Sequence, residues 1–492
     1  MEFSPSVAFI RASAVPYQMQ TFRKRLRRSV RAEVFQEYCA NSSIHGVRYF
    51  DRDERPSCER FWWIVAFLLS MAGCGIMIYK TYVKWNQVPI IVTFSEKTTP
   101  VWEMQFPAIT ICPETKMSVA KLNFTAEINA LLESFYNANR TTSYNVIKQL
   151  KAVSQLCNMI FHTSNVWLQY LNGTEDNIVD VLKNVSLPAA QTLAICIYGN
   201  HYSNCEDYLT ETITEEGICY TFNMVPESEI FRKSALHTEY NYTKDWSPYF
   251  EDSSRIRDVR NGTLYARGAG LHAGLTLYLK HIKEDTDYMC TVGTMELRIH
   301  GDILDPHSEL PPQGFSQGYK LMIHDPDEYP QVSMRNMRLP IGHEISIALK
   351  PQMMSTTQSA ADYSWQKRQC FFNHERHLRF FKVYSQENCE LECLTNVTYA
   401  MCGCVRFSMP RANDTAVCSL LMWDCMFNAK WFLRPGSRAN PTPDKEITDM
   451  VRRCNCLPAC SSVQYDAEIT QTSLDMDNFL RANHELPRDQ TD

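Results

Sequence analysis

One run interrupts the mixed hydrophobic and polar pattern of this chain. From Phe61 to Tyr79 (FWWIVAFLLSMAGCGIMIY), nineteen residues carry no charge. As a helix rising about 1.5 Å per residue they extend roughly 28 Å, against a hydrocarbon core of about 30 Å. A buried core helix of that length would ordinarily keep a polar face. Trp62, Trp63 and Tyr79 stand at the two ends, where amphipathic rings suit the headgroup level. The pattern predicts a transmembrane helix over 61–82. The sixty preceding residues, with the basic run Arg23-Lys24-Arg25-Leu26-Arg27-Arg28, do not have the form of a cleaved signal peptide. No comparable run follows, so the chain as written is expected to cross once.

Beyond that helix the pattern shortens. Pro89–Ser95 (PIIVTFS) and Val101–Cys112 (VWEMQFPAITIC) are rich in β-branched and aromatic residues at strand length. Leu275–Leu279 alternates, and Ile345–Leu349 is a further strand signal. Asn123–Ala138 and Asn145–Val153 read as amphipathic helices, the first with Ile128, Leu131, Leu132 and Phe135 on one face. Pro-containing turns punctuate Asp305–Pro330. The expectation is a large α+β domain built around a sheet.

Composition changes the picture in two places. The 492 residues are 45% hydrophobic and 21% charged with a net charge of −6, which excludes a disordered tail or a collagen-like chain. No basic excess points to nucleic acid. Charge is nevertheless uneven: residues 1–60 hold eleven Lys/Arg against seven Asp/Glu, leaving residues 61–492 at −10. That favours a cytosolic N-terminus, although the immediate flanks of the span nearly tie, with four basic residues in 41–60 and three in 80–99.

Two further patterns favour the same topology. Eight N-x-S/T sequons follow the helix, at Asn123, Asn139, Asn172, Asn184, Asn241, Asn261, Asn396 and Asn413, against one before it at Asn41. Of nineteen cysteines, Cys39, Cys58 and Cys74 precede or lie within the helix and sixteen follow it, an even number suited to eight disulfides in an oxidising compartment. Nine of these fall between Cys389 and Cys460. A zinc module is the competing reading, but no histidine stands at ligand spacing among them, and no metal or cofactor is expected.

Short spellings then carry a resemblance. Ser43-Ile44-His45-Gly46 precedes the helix, Phe106-Pro107-Ala108-Ile109-Thr110-Ile111-Cys112 follows it, and Gly217-Ile218-Cys219-Tyr220-Thr221-Phe222-Asn223 comes midway. A block runs from Cys370 through Phe381-Lys382-Val383-Tyr384-Ser385-Gln386 to Cys454-Asn455-Cys456-Leu457-Pro458-Ala459-Cys460. Over about residues 37–470 the chain resembles the degenerin/epithelial sodium channel family. The segments HERHLRFFKVYSQENCELECLTN and YARGAGLHAGL resemble its insect pickpocket branch.

The resemblance implies a voltage-independent, amiloride-sensitive sodium channel in the plasma membrane, gated from outside. It would be a trimer of identical or related subunits, each with a cytosolic segment 1–60, a span and an ectodomain from 83. That ectodomain would comprise palm, β-ball, finger, thumb and knuckle, with the thumb and its cysteine ladder at about 370–460. The resemblance also implies disulfides joining Cys112 to Cys219, Cys196 to Cys205, Cys370 to Cys460, Cys389 to Cys456, Cys393 to Cys454, Cys402 to Cys425 and Cys404 to Cys418. Cys157 and Cys290 remain as the expected last pair. His45 and Gly46 match the family's gating pair at the cytosolic mouth of the ion path, although a plain turn reads the same way. Tyr82 and Trp85, just past the uncharged run, resemble the family's aromatic junction between span and ectodomain, although interfacial anchors read the same way.

The family's second span and its filter have no counterpart in these residues. Past Ile469 the chain reads as polar and charged to Asp492, as though cut within the sheet before a final palm strand. An incomplete channel subunit is the favoured expectation. A truncated regulatory subunit or a single-pass receptor is the alternative. An enzyme is not expected: His374-Glu375-Arg376-His377 lacks zincin spacing, Gly268-Ala269-Gly270 lacks a third glycine, and no G-x-S-x-G occurs. The acidic groups in Cys205-Glu206-Asp207 and Thr214-Glu215-Glu216 read as solvated surface. The partners expected are sodium ions, the lipid bilayer and related channel subunits.

Overall fold

The computed structural model describes residues 30, 33–50, 56–87, 92–95, 98–136, 143–157, 177–199, 201–237, 259–260, 263–287, 290, 317–433, 445–475, 478 and 482. The chain divides into two units, residues 1–92 and 93–492.

In the first unit the uncharged run lies inside a 31-residue helix, α1 (Ser57–Gln87), about 46 Å long. None of its residues is buried, and it is long and apolar enough to cross a membrane. It overruns the expected span at both ends, because nothing at Ser57–Arg60 or Val83–Gln87 breaks a helix. Tyr82 and Trp85 therefore lie within its last turns rather than past it.

In the second unit the strands in chain order are β1 (Ala108–Pro113), β2 (Leu193–Tyr198), β3 (His201–Ser203), β4 (Leu209–Thr214), β5 (Gly217–Phe222), β6 (Val259–Arg260), β7 (Thr263–Leu264), β8 (Leu275–Leu279), β9 (Tyr319–His324), β10 (Met337–Leu339), β11 (His343–Met354) and β12 (Ser462–Ser473). An antiparallel sheet of order β10-β9-β1-β5-β4 forms the centre, with every residue of β5 buried. A three-stranded sheet, β3-β2-β8, shares a core with it in which Ile111, Tyr198, Tyr220 and Phe222 are buried.

The strand expectations divide. Leu275–Leu279 is β8 and Ile345–Leu349 lies within β11. Of Pro89–Ser95, the described residues 92–95 form no strand, and Phe94 is fully exposed. Val101–Glu103 is a 3-10 turn, and strand begins only after Pro107, whose missing N–H cannot enter a ladder. The C-terminal region, read as polar and charged past Ile469, is strand as far as Ser473. Residues 462–473 form β12, paired with β11 from His343↔Ser473 to Met354↔Ser462. Val463, Tyr465, Ala467 and Ile469 alternate with Gln464, Asp466, Glu468 and Thr470, a two-sided ribbon that composition alone hides.

The longer helices of this unit are α2 (Phe124–Tyr136), α3 (Tyr144–Val153), α4 (Ile178–Val185), α5 (Gln386–Cys402), α6 (Trp423–Phe432) and α7 (Lys445–Cys454). Ile128 and Leu131 of α2 are buried; the side chains of Leu132 and Phe135 lie outside those described. Ser385 caps α5 by accepting the Asn388 N–H, and Gly403 ends it with φ +70°. Disulfides join Cys112–Cys219, Cys157–Cys290, Cys196–Cys205, Cys370–Cys460, Cys389–Cys456, Cys393–Cys454, Cys402–Cys425 and Cys404–Cys418. Cys39, Cys58 and Cys74 form none.

Candidate functional site

Two places, one in each unit, stand out: a glycine turn in the first and a buried acidic loop in the second. In the first, His45 and Gly46 lie in a turn between a helical stretch at residues 33–41 and a 3-10 turn at Val47–Phe50. Gly46 has φ +94°, a conformation that side-chain-bearing residues avoid, and its carbonyl accepts the Tyr49 N–H at 3.2 Å. A Cβ there would stand 3.7 Å from the Phe67 ring, so backbone conformation rather than space selects glycine. The turn folds back on α1: Tyr49 stacks on Trp63 at 4.2 Å and Phe50 meets Phe67 edge-on at 5.4 Å. His45 is exposed. At the other end of α1, Tyr82 and Trp85 are exposed neighbours with ring centroids 6.1 Å apart.

In the second unit the cysteine-rich helices are fastened to the central sheet through the loop that follows β9. Tyr329 is buried there, donates its hydroxyl to the Ile213 carbonyl of β4, and gives its N–H to Asn388 Oδ1 on α5 at 3.0 Å. Asn388 Nδ2 returns a bond to the Asp327 carbonyl at 3.0 Å, and Gln331 Nε2 donates to the Glu387 carbonyl at 2.9 Å. Glu392 of α5 accepts the N–H groups of Arg379 and Phe380, each at 2.9 Å.

That loop is acidic and largely dry. Burial raises Asp325 to about 7, reinforced by the Asp327 charge. Burial also raises Asp327. Glu328 is held well above the carboxylate range by burial and by a shared hydrogen bond with Glu387. Next to them, His324 is fully buried, and that burial lowers it to about 4. Its Nδ1 lies 2.9 Å from the Asp325 carbonyl, which can only accept, so Nδ1 carries the proton. Nε2 then accepts from Thr110 Oγ1 at 2.9 Å, and the polar seam continues to Thr221 at 2.9 Å and Thr212 at 2.8 Å.

The acidic turn between β4 and β5 is not solvated surface, which corrects the expectation for Glu215-Glu216. Glu216 is buried between Lys116 and Lys320, with each ammonium 2.8 Å from one carboxylate oxygen. Burial alone would raise its pKa, but the two lysines outweigh burial and hold it well below the carboxylate range. Two cations arriving from β9 and from just after β1 make the site, and the local sequence of the turn gives no sign of them. The Glu215 carbonyl accepts from Arg406 Nη2 at 2.9 Å. Glu206 is exposed, as expected.

Among the described sequons, Asn123, Asn184 and Asn413 are exposed and Asn396 is half-buried on α5. Asn139, Asn172, Asn241 and Asn261 lie outside the described residues. Among the described residues, no cluster of His, Cys, Asp and Glu is arranged to hold a metal ion. The Tyr329–Asn388 clamp escaped sequence reasoning; the one local signal was the acidic, proline-bounded segment Asp325–Pro330, legible only as a turn.

A model of the amiloride-sensitive sodium channel family matches residues 38–491. Pickpocket protein 28 of Drosophila melanogaster is 26% identical over 462 residues, covering 92% of this chain and 66% of the relative. Sodium channel protein Nach of Drosophila melanogaster is 22% identical, covering 89% of this chain and 73% of its own. Acid-sensing ion channel 1A of Danio rerio is 20% identical, with 88% and 71% covered. The chain thus spans just under two thirds of the length of the first of these relatives.

Proposed function

Because the chain belongs to the amiloride-sensitive sodium channel family, we propose that it is a subunit of a sodium-preferring cation channel gated from outside the cell. Three identical or related subunits assemble in the plasma membrane, conduct without voltage dependence and are blocked by amiloride. Residues 1–60 face the cytosol, α1 is the first span, and the chain from residue 83 is extracellular and glycosylated. In this reading the central sheet belongs to the palm, the finger, β-ball and knuckle surround it, and α5 to α7 form the thumb.

The observation that carries the reading is an apolar helix with no buried residue, joined to an ectodomain cross-linked by eight disulfides. A single-pass receptor would use the helix but has no need for a stiff lever. Five of the bonds lie within 370–460. Restricting chain freedom there makes the thumb move as one body, and the Tyr329–Asn388 clamp hands its motion to the sheet. At the cytosolic end, Gly46 sets the turn, and the contacts of Tyr49 with Trp63 and of Phe50 with Phe67 couple that turn to the span. Tyr82 and Trp85 stand where the span gives way to the ectodomain.

Voltage clamp of oocytes expressing the chain, alone and with Pickpocket protein 28, tests this. A sodium-dependent, amiloride-blocked current that follows voltage linearly is expected. A chain delivered to the surface that changes no current in either setting overturns the reading and favours a receptor.

A further inference from the structure

The first sequon beyond the span, Asn123-Phe124-Thr125, is folded into the start of α2. Asn123 caps that helix: Oδ1 accepts the Ala126 N–H at 2.9 Å and its carbonyl accepts the Glu127 N–H at 2.9 Å. Phe124 is fully buried. Thr125 is gripped twice by one distant carboxylate, its N–H donating to Asp287 Oδ2 at 2.8 Å and its hydroxyl to Asp287 Oδ1 at 2.6 Å. Asp287 is itself buried and accepts the N–H of Cys290 at 3.3 Å, and Cys290 is bonded to Cys157. Asn123 is nevertheless exposed, and among the described residues its Nδ2 has no hydrogen-bond partner.

We propose that Asn123 is a glycan-bearing helix cap whose sequon accepts sugar only until Asp287, held by the N–H of disulfide-bonded Cys290, closes on Thr125. In the transfer, Nδ2 attacks C1 of a lipid-diphosphate oligosaccharide. The N–C1 bond forms, the C1–O bond breaks, the lipid diphosphate leaves with the electron pair, and one amide proton passes to a base of the transferase. Such transfer requires the hydroxyl of the third residue and an accessible tripeptide backbone. In the folded chain that hydroxyl, the Thr125 N–H and the Asn123 oxygen are all engaged. Once attached, the sugar does not disturb the fold, since the cap uses Oδ1 and leaves Nδ2 outside.

The order of synthesis makes this workable. Asp287 follows Thr125 by 162 residues, which at about 5–20 residues per second is roughly 8–30 s of translation. Sugar therefore goes on before the carboxylate that closes the site exists. Asn413 offers an internal reference: it is exposed in a turn whose Thr415 N–H bonds only locally, to the Ala412 carbonyl at 3.1 Å.

The test uses the full chain. Glycopeptide mass spectrometry of protein made in insect cells is expected to find sugar on Asn123; a bare Asn123 overturns the proposal. Folded, sugar-free chain from cells depleted of the lipid-linked donor is then offered purified oligosaccharyltransferase and that donor. Asn123 is expected to react at least tenfold more slowly than Asn413, and equal rates overturn the proposal without any variant. Asp287→Asn is expected to raise the Asn123 rate about tenfold and leave Asn413 unchanged. No rise in that folded variant also overturns the proposal. If Asp287→Asn does not fold, Cys157→Ala/Cys290→Ala provides the same comparison.

Discussion

Lys320 of β9 places its ammonium 2.8 Å from Glu216 Oε1, and Lys116 takes the other oxygen at the same distance. One buried anion at a hairpin turn thereby holds two segments that lie 100 and 104 residues away in the chain. A buried pair of this kind need not exceed an apolar packing in stability, but breaking it leaves uncompensated charge. Glu216→Ala strands both lysines and is expected to destabilise the ectodomain by about 3–5 kcal/mol. Thermal denaturation of the purified chain checks it. Because Glu216 is held below its ordinary 4.5, its contribution is present above that value and lost as pH falls below it.

The acidic loop has the opposite sign. Asp325 keeps its proton to about 7 against an ordinary 3.8, so the folded state binds a proton that the unfolded chain has released. Its contribution is fully present below about pH 4 and lost as pH rises through 7, on the order of 2–4 kcal/mol. The denaturation midpoint is expected to fall between pH 4 and 7 in the wild type and to fall less in Asp325→Asn. Equal slopes would contradict the assignment.

Gly318 leads into β9 with φ +128°, and a Cβ there would stand 2.1 Å from the Leu339 carbonyl oxygen. Gly318→Ala must push β10 away from β9, and is expected to cost about 2–4 kcal/mol through backbone strain and overpacking. A folded variant with an unchanged midpoint would contradict the packing.

The Cys370–Cys460 bond closes 90 residues. Removing that constraint by Cys370→Ser/Cys460→Ser is expected to cost about 4 kcal/mol on the chain-entropy account. Hydrogen exchange should localise the loosening to residues 370–460 and spare β1, β5 and β9.

What was legible in the sequence follows from the range of each cause. The apolar helix needed no partner to announce itself, since nineteen uncharged residues exceed what a soluble helix carries. β8 was legible because Leu275, Leu277 and Leu279 alternate against one core. β12 was not: the chain reads as polar past Ile469, and the strand's extent to Ser473 is set by its pairing with β11. Glu216 read as surface because both lysines that bury it come from distant segments, one on β9 and one just after β1. Asp325 and Glu328 read as a turn because burial and Glu387, on α5, set their protonation. Tyr82 and Trp85 follow the uncharged run, yet the helix continues through both to Gln87, a boundary that the run alone does not fix.

The most direct test of the channel account lies at Gly46, where φ +94° sets the turn beside α1. Single-channel recording compares the wild-type chain with Gly46→Ala, each co-expressed with Pickpocket protein 28. The account predicts a sodium current whose open probability falls in the variant while unit conductance and surface abundance stay the same. An unchanged open probability in a conducting assembly, or no current from abundant wild-type chain at the surface, would contradict it.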